Sequence, residues 1–162
     1  METYSSVEFE KIGITANFIQ DNHSKSKKWV LRGLHFQTRK AQAKLVRVTS
    51  GSVYDIVVDL RRESLTFGKW EGFVLSAENQ NMLYVPRGFA HGFVTLEDDT
   101  EFLYKCDDLY DPGHEGGLIW DDRTLGIDWQ RVINEYSILD LEISEKDKEN
   151  HTFLEYINNP TF

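Results

Sequence analysis

The chain has one cysteine, Cys106, so no intrachain disulfide can form and neither a Cys-x-x-Cys pair nor a Cys/His zinc grouping can be assembled. A reducing compartment is the simpler setting, and a cytoplasmic location is the expectation. Basic residues are also short, with 18 Lys and Arg against 27 Asp and Glu and a formal charge of -9. The average field therefore repels phosphate, which argues against nucleic acid or an anionic membrane as the main partner and requires an anionic ligand to meet a local cluster of Arg and Lys. No apolar run is longer than a strand, and the opening METYSSVEFEKIGIT has neither a basic stretch nor an apolar core, so no membrane span or secretory signal is expected. Internal repeats, low-complexity tracts and linkers are absent as well.

What is present is ordinary globular material. With 162 residues, 40% of them apolar and 28% charged, the chain can bury one core without disulfide or metal support, and residues 1–162 are expected to form a single domain. Between Trp29 and Trp129, short β-branched and aromatic segments alternate with Gly, Asn, Asp and Pro, among them KLVRVTSGSVYDIVVDL, FGKWEGFVLS, NMLYVP, HGFVTL and EFLYKC. This pattern predicts an all-β barrel or sandwich. Thr49-Ser50-Gly51-Ser52 reads as a hairpin turn and Pro86-Arg87-Gly88 as punctuation before another strand, which favours antiparallel neighbours. Helical patterning is confined to the ends, weakly at Ser6 to Phe9 and more clearly at Ser144 to Ile157, where Ser144 is placed to cap a short helix.

Strand alternation assigns faces, and it puts ionisable groups among apolar ones. In Lys44-Leu45-Val46-Arg47-Val48, Lys44 shares a face with Val46 and Val48 whereas Arg47 lies with Leu45. A basic group therefore faces an apolar interior, unless Lys44 snorkels from a barrel mouth or that face is the solvated one. A buried lysine is costly unless it is paired or aligned with ligand charge. Tyr104 shares a face with Phe102 and Cys106; such a tyrosine is usually a core residue with one hydrogen bond, and otherwise a hydroxyl available for chemistry. His35 lies in Leu31-Arg32-Gly33-Leu34-His35-Phe36-Gln37, near a glycine that permits close approach of a ligand or of backbone. His91 ends a Pro-x-Gly-x-x-His arrangement that starts at Pro86, like the second motif of cupin barrels, where such a histidine can bind metal. The first cupin motif needs an H-x-H pair and a nearby carboxylate, whereas this chain offers His35 alone, so no metal site is expected. His23, His114 and His151 read as surface residues without a role.

Taken together, FIQDNHSKSK, VLRGLHFQ, QAKLVRVTSGSVYDIVVDLR, TFGKWEGFVLSAEN, YVPRGFAHGFVTLEDDTEFLYKCDDLYDP, IWDDRTLGIDW and ISEKD resemble the dTDP-4-dehydrorhamnose 3,5-epimerase family, in order and over nearly the whole chain. The resemblance implies a cupin-type jelly-roll β-barrel with a few short peripheral helices, homodimeric and needing no metal or other cofactor. It implies the substrate dTDP-4-dehydro-6-deoxy-D-glucose, whose 4-ketone acidifies the hydrogens at C3 and C5. Removing a proton and returning one to the opposite face then inverts each centre, on the way to dTDP-L-rhamnose. By the family's RGLH motif His35 is the general base, and by its S-x-K-D motif Asp147 orients the imidazole. Lys44 matches the lysine that stabilises the enolate oxygen, Tyr104 the acid that reprotonates carbon from the face opposite His35, and Tyr110 a tyrosine that contacts the ligand. Arg32 matches a diphosphate contact, Gln20, Asn22 and Glu2 match positions at the substrate pocket, and His91 with Asp55 matches a second polar pair near the sugar.

Two departures accompany the resemblance. Family members carry a D-x-R-G-x-F segment before the stretch equivalent to Glu2-Thr3-Tyr4, and its absence here implies a lost strand and a lost phosphate contact. A charge-assisted phosphate contact is worth roughly 1.5–3 kcal/mol, so the expectation is either a truncated form or a substrate recognised differently or less tightly, with affinity lower by about ten- to a hundred-fold. Trp29 stands where the family commonly has glycine before VLRG, and is expected to crowd the strand there. Two other readings stay open: a C3-only or C5-only epimerase of a related dTDP-4-keto-6-deoxysugar, which the motifs do not separate, and a catalytically weak sugar-nucleotide-binding cupin, opposed by the joint presence of His35, Asp147, Lys44 and Tyr104. A metal-dependent cupin oxygenase is opposed by the incomplete metal motif.

Overall fold

A computed structural model describes residues 1–162. One sheet runs β1 (Gln20–Ser26), β8 (Thr100–Cys106), β3 (Lys44–Ser50), β6 (Met82–Val85); the other runs β10 (Glu142–Ile143), β2 (Val30–Gln37), β7 (Phe89–Thr95), β4 (Ser52–Asp59), β5 (Trp70–Ser76), with β9 (Glu115–Gly117) also paired to β2. From β1 to β8 every connection crosses between the sheets except the antiparallel β4–β5 pair, which is the wiring of a jelly roll. The turn at Thr49–Ser52 is therefore not the hairpin that its residues suggest. Both edges of β3 are already occupied, by β8 and β6, so the chain leaving β3 has no place beside it and passes to the other sheet. Gly51 makes the crossing at a φ of 70°, against Thr100, whose Oγ1 lies 2.4 Å from where a Cβ would stand.

The larger core lies outside the barrel. Leu31, Leu34 and Phe36 of β2, Tyr54, Ile56 and Val58 of β4, and Ala90 and Val94 of β7 meet Trp129 and Val132 of α2 (Trp129–Glu135) and Phe153 and Tyr156 of α4 (Phe153–Asn158) in a 17-residue cluster. Inside, only six residues cluster: Val46, Val48, Val53, Leu75, Phe93 and Phe102. Each fully buried apolar side chain contributes about 1.5–3 kcal/mol, so the second sheet is anchored mainly from its outer face and the barrel interior is left for polar groups.

On β2 the register shifts: Arg32 pairs with Phe93 and His35 with His91, so three steps on β2 match two on β7. This bulge turns Arg32 and His35, which strict alternation would set on opposite faces, toward the same interior. It depends on Gly33, with a φ of 121°, where a Cβ would stand 2.5 Å from Gly92 Cα and 2.8 Å from the His91 carbonyl oxygen. Two glycines facing each other let the bulged strand close on its neighbour.

Helix α1 (Ser6–Lys11) forms where the pattern was weak. The Ser144 to Ile157 stretch splits into α3 (Glu145–Lys148) and α4, because Ser144 caps the first at Asp147 N while Thr152 and Glu155 form a reciprocal cap on the second. Helix α2 contradicts the expectation that helices are confined to the ends. Its Trp129, Val132 and Ile133 are strand-forming types, and its start signal is the Asp128 carboxylate accepting from Arg131 N–H. Trp29 takes a φ of 65°, the left-handed region that favours glycine. No helix is long and apolar enough to cross a membrane.

Candidate active site

Two adjoining cavities open into the barrel. The outer, about 320 Å³, is lined by Gln20, Asn22, His35, Lys44, Tyr104 and Tyr110 together with Phe36, Gln37, Gln42, Phe89, Glu115 and Phe162. The deeper, about 150 Å³, shares His35, Lys44 and Tyr104 and adds Arg32, His91, Phe93 and Phe102. The side chains converge because β1, β2, β3, β7 and β8 each turn one face inward, and on β2 the bulge supplies the correction.

Two imidazole–carboxylate pairs hold the interior. His35 Nε2 lies 2.5 Å from Asp147 Oδ1, with the Asp147 side chain 5% exposed behind it. Burial alone would raise the Asp147 carboxyl, but the bond to His35, the charge of that ring, the Ser144 hydroxyl and the Gly33 amide outweigh it and hold the group below the usual carboxylate range. The deeper pair is His91 Nε2 with Asp55, at 2.9 and 3.0 Å to the two oxygens, and both residues are buried. Asp147 and Asp55 do not line the cavities; they fix the rings that do.

Lys44 projects into the same space. Its half-buried side chain has no carboxylate within 4.0 Å and lies with Nζ 5.9 Å from the centre of the Tyr104 ring. Burial lowers its pKa, and the nearby Cys106, Asp55 and Glu115 pull the other way. A desolvated ammonium without a partner gains most from a negative charge that develops within reach. Burial also raises the Tyr104 phenol, with Cys106 adding and Arg32 opposing, so the hydroxyl keeps its proton at neutral pH. The Cys106 thiol is pushed up to about 11 by burial and stays neutral.

Other expected residues have mixed placements. Gln20 lines the cavity, but its Oε1 accepts from Tyr110 N–H at 2.9 Å and its Nε2 donates to Asn22 at 3.1 Å, so it also holds the loop that carries Tyr110. Arg32 is exposed at the deeper cavity and donates to Ser26 Oγ at 3.4 Å. Glu2 is not brought to this site. It is exposed in a separate cavity of about 460 Å³ with Arg47, on the outer face of the first sheet. There Tyr4 packs on Phe9 and Phe18 at ring distances of 5.1 and 5.4 Å and fastens the N-terminal residues away from His35. His114, expected on the surface, is half-buried and held by Asp111 Oδ2 at 2.9 Å.

Sequence reasoning missed Glu115 and Gln37. Glu115 Oε2 accepts from the Tyr110 hydroxyl at 2.7 Å and from Lys146, while Oε1 stands 3.9 Å from His35 Nδ1. Gln37 continues the inward face of His35 along β2; its Nε2 donates to Lys40 and Leu109 carbonyls and its Oε1 accepts from Asp111 N–H, which braces the same loop. That continuation was the available signal for Gln37; for Glu115 it was nearness to Tyr110 alone. No group of three or more His, Cys, Asp or Glu is disposed to hold a metal ion.

A constellation of one oriented imidazole, one desolvated cation and one protonated phenol in a shared cavity can remove and return protons next to a carbonyl. The family model for dTDP-4-dehydrorhamnose 3,5-epimerase matches residues 1–155. The chain belongs to the dTDP-4-dehydrorhamnose 3,5-epimerase family. It is 56% identical over 130 residues to the epimerase of Salmonella typhimurium, covering 79% of this chain and 71% of that one. To the epimerase of Methanothermobacter thermautotrophicus it is 48% identical over 148 residues, covering 91% and 78%. The crystal structure of the Legionella pneumophila dTDP-6-deoxy-D-glucose-3,5-epimerase, in complex with dTDP-4-keto-L-rhamnose, superimposes with a TM-score of 0.86 at 42% identity and covers 94% of this chain and 79% of that one. As a member of this epimerase family the chain is an isomerase, built on the family's cupin-like jelly roll.

Proposed function

We propose that this epimerase inverts C3 and C5 of dTDP-4-dehydro-6-deoxy-D-glucose, giving dTDP-4-dehydro-L-rhamnose, with His35 as base and Tyr104 as acid. The observation that carries the reading is that the His35–Asp147 pair, Lys44 and Tyr104 share one cavity. Asp147 accepts from Nε2–H and so leaves the Nδ1 lone pair to take a proton from carbon. Asp147 then stabilises the imidazolium, Lys44 the enolate oxygen, and Tyr104 returns a proton from the other side of the sugar. Arg32 meets the diphosphate, Tyr110 contacts the ligand at the mouth, Gln20 and Asn22 line the substrate pocket, and the His91–Asp55 pair holds the sugar from below. Lys44 and Arg32 give an anionic ligand a local positive field on a chain whose formal charge is -9. We place the enzyme in the cytoplasm as a homodimer.

The test is incubation with dTDP-4-dehydro-6-deoxyglucose in deuterated water, following C3 and C5 by NMR. Exchange and inversion at both centres are expected. Exchange at one centre alone would make the chain a narrower epimerase, and exchange at neither would make it a binding protein. His35→Ala is expected to abolish exchange, while Tyr104→Phe retains some proton removal and loses inversion; full activity of His35→Ala would overturn the mechanism.

A further inference from the structure

We propose that Glu115 resets the base, taking the proton from His35 between the two inversions and passing it to solvent beside Tyr110. The inference rests on the epimerase reading above and follows from proton bookkeeping. In one inversion a C–H bond breaks, its proton goes to His35 Nδ1, and the electron pair becomes an enolate with its charge on the ketone oxygen. The carbon then takes the Tyr104 hydroxyl proton on its opposite face. The sugar is neutral again, but the enzyme is left with an imidazolium and a phenolate. A second inversion by the same pair requires both to be reversed.

His35 Nε2 is held at 2.5 Å by Asp147, so protons must leave through Nδ1. The carboxylate on that side is Glu115, with Oε1 at 3.9 Å, so the transfer requires Glu115 to turn toward the ring or one water to bridge the gap. Its other oxygen faces outward to the Tyr110 hydroxyl at 2.7 Å and to Lys146. The path leads from a side chain 14% exposed to two that are largely exposed, Tyr110 and Lys146. Transfer from Nδ1–H to Glu115 gives a carboxylic acid, which releases the proton to water at the mouth; water returns one to the Tyr104 phenolate, and no oxidant or reductant is needed. The charged and titratable groups around the ring are Asp147 and Lys146 of α3, Glu115 of β9, Lys44 of β3, Tyr104 of β8, Tyr110 of the preceding loop, Arg32 of β2, and His91 of β7 with its partner Asp55 of β4. Burial would raise the Glu115 carboxyl, but Lys146, Tyr110 and His35 hold it below the usual range, so it passes a proton on and does not keep it. A contact that only bound the ligand would slow both centres alike.

Glu115→Gln keeps the shape and removes the proton acceptor. In deuterated water, with the two exchange rates followed separately by NMR, the second exchange is expected to fall relative to the first by about tenfold or more, and singly inverted sugar to accumulate. Added imidazole buffer is expected to restore the second rate in proportion to its concentration. Glu115→Asp, which keeps a carboxylate, should hold the ratio within about threefold of the unaltered enzyme and guards against a folding defect in the first variant. Parallel slowing of both centres, a rise in KM alone, or no response to buffer would overturn the relay. Loss of all exchange in the unaltered enzyme would count against the epimerase reading itself, and is thereby distinguished.

Discussion

At the scale of single residues, the site is a set of side chains whose surroundings choose their protonation. Asp147 stays ionised although buried, because His35, Ser144 and the Gly33 amide compensate its lost hydration; Tyr104 stays protonated because its burial outweighs the opposing charge of Arg32. One partner is thus kept as an anion to steady an imidazolium, and the other as a neutral proton donor. Asp147→Asn separates orientation from charge, since the amide fills the same space and can still bond the ring but no longer favours the useful tautomer. We expect kcat to fall by about a hundred- to ten-thousand-fold with KM within a few-fold and the circular dichroism unchanged. A kcat within threefold of the unaltered enzyme would mean that the 2.5 Å contact between His35 and Asp147 serves folding alone.

At the scale of elements, β2 decides whether the base reaches the cavity. Gly33→Ala would place a methyl 2.5 Å from Gly92 Cα at a φ of 121° that only glycine adopts readily. We expect urea unfolding to show a loss of more than about 3 kcal/mol, or a strand that straightens and turns His35 out of the cavity with activity lost. A stable, active Gly33→Ala protein would show that the bulge is not required. The same strand marks how far the pattern of residues could be read. Alternation set Lys44 on the face of Val46 and Tyr104 on that of Phe102 and left open whether the Lys44 face is solvated; both faces turn inward, and the pairing holds because β3 and β8 are regular over that stretch. It cannot place Arg32 and His35 on one face, since the bulge depends on contact with β7, far away in the chain; only the resemblance of RGLH joined them. Gly51 was legible as a turn, but its crossing to the other sheet follows from β3 having partners on both edges, a non-local fact. Helix α2 hid behind Trp, Val and Ile, and Glu115 could not be assigned to the site until β9 was seen to pair with β2.

At the scale of the molecule, the apolar mass sits between the second sheet and the C-terminal segment, and a polar cluster at the end of β4 braces its margin. Asp59, 1% exposed at the end of β4, accepts from Arg61 Nε and Nη2 at 2.9 and 2.7 Å and from the hydroxyls of Ser64 and Thr66, each at 2.6 Å. The loop so gathered carries Phe67 onto Phe153 at 5.4 Å between ring centres, and Leu60 accepts from the Tyr156 hydroxyl at 2.9 Å, so one carboxylate secures the seat of α4. Burial would raise this carboxyl, but Arg61, Ser64 and Thr66 outweigh it and hold the group well below its ordinary value of 3.8. A carboxyl depressed on folding contributes stability that is complete above the unfolded value and is lost as pH falls through the folded one. Asp59→Asn should therefore cost about 1.5–3 kcal/mol at pH 7, where the unaltered protein has its anion bonded. The two proteins should converge as pH is lowered below about 4, because protons then bind the unfolded chain first and remove the advantage. Urea unfolding at a series of pH values measures this directly. A difference that stays constant down to low pH would assign Asp59 a shape-filling role and move the acid sensitivity of the fold to the other depressed carboxyls, which are Asp147 and Glu115 at the active site, Asp111 in the loop beside it and Glu155 at the start of α4.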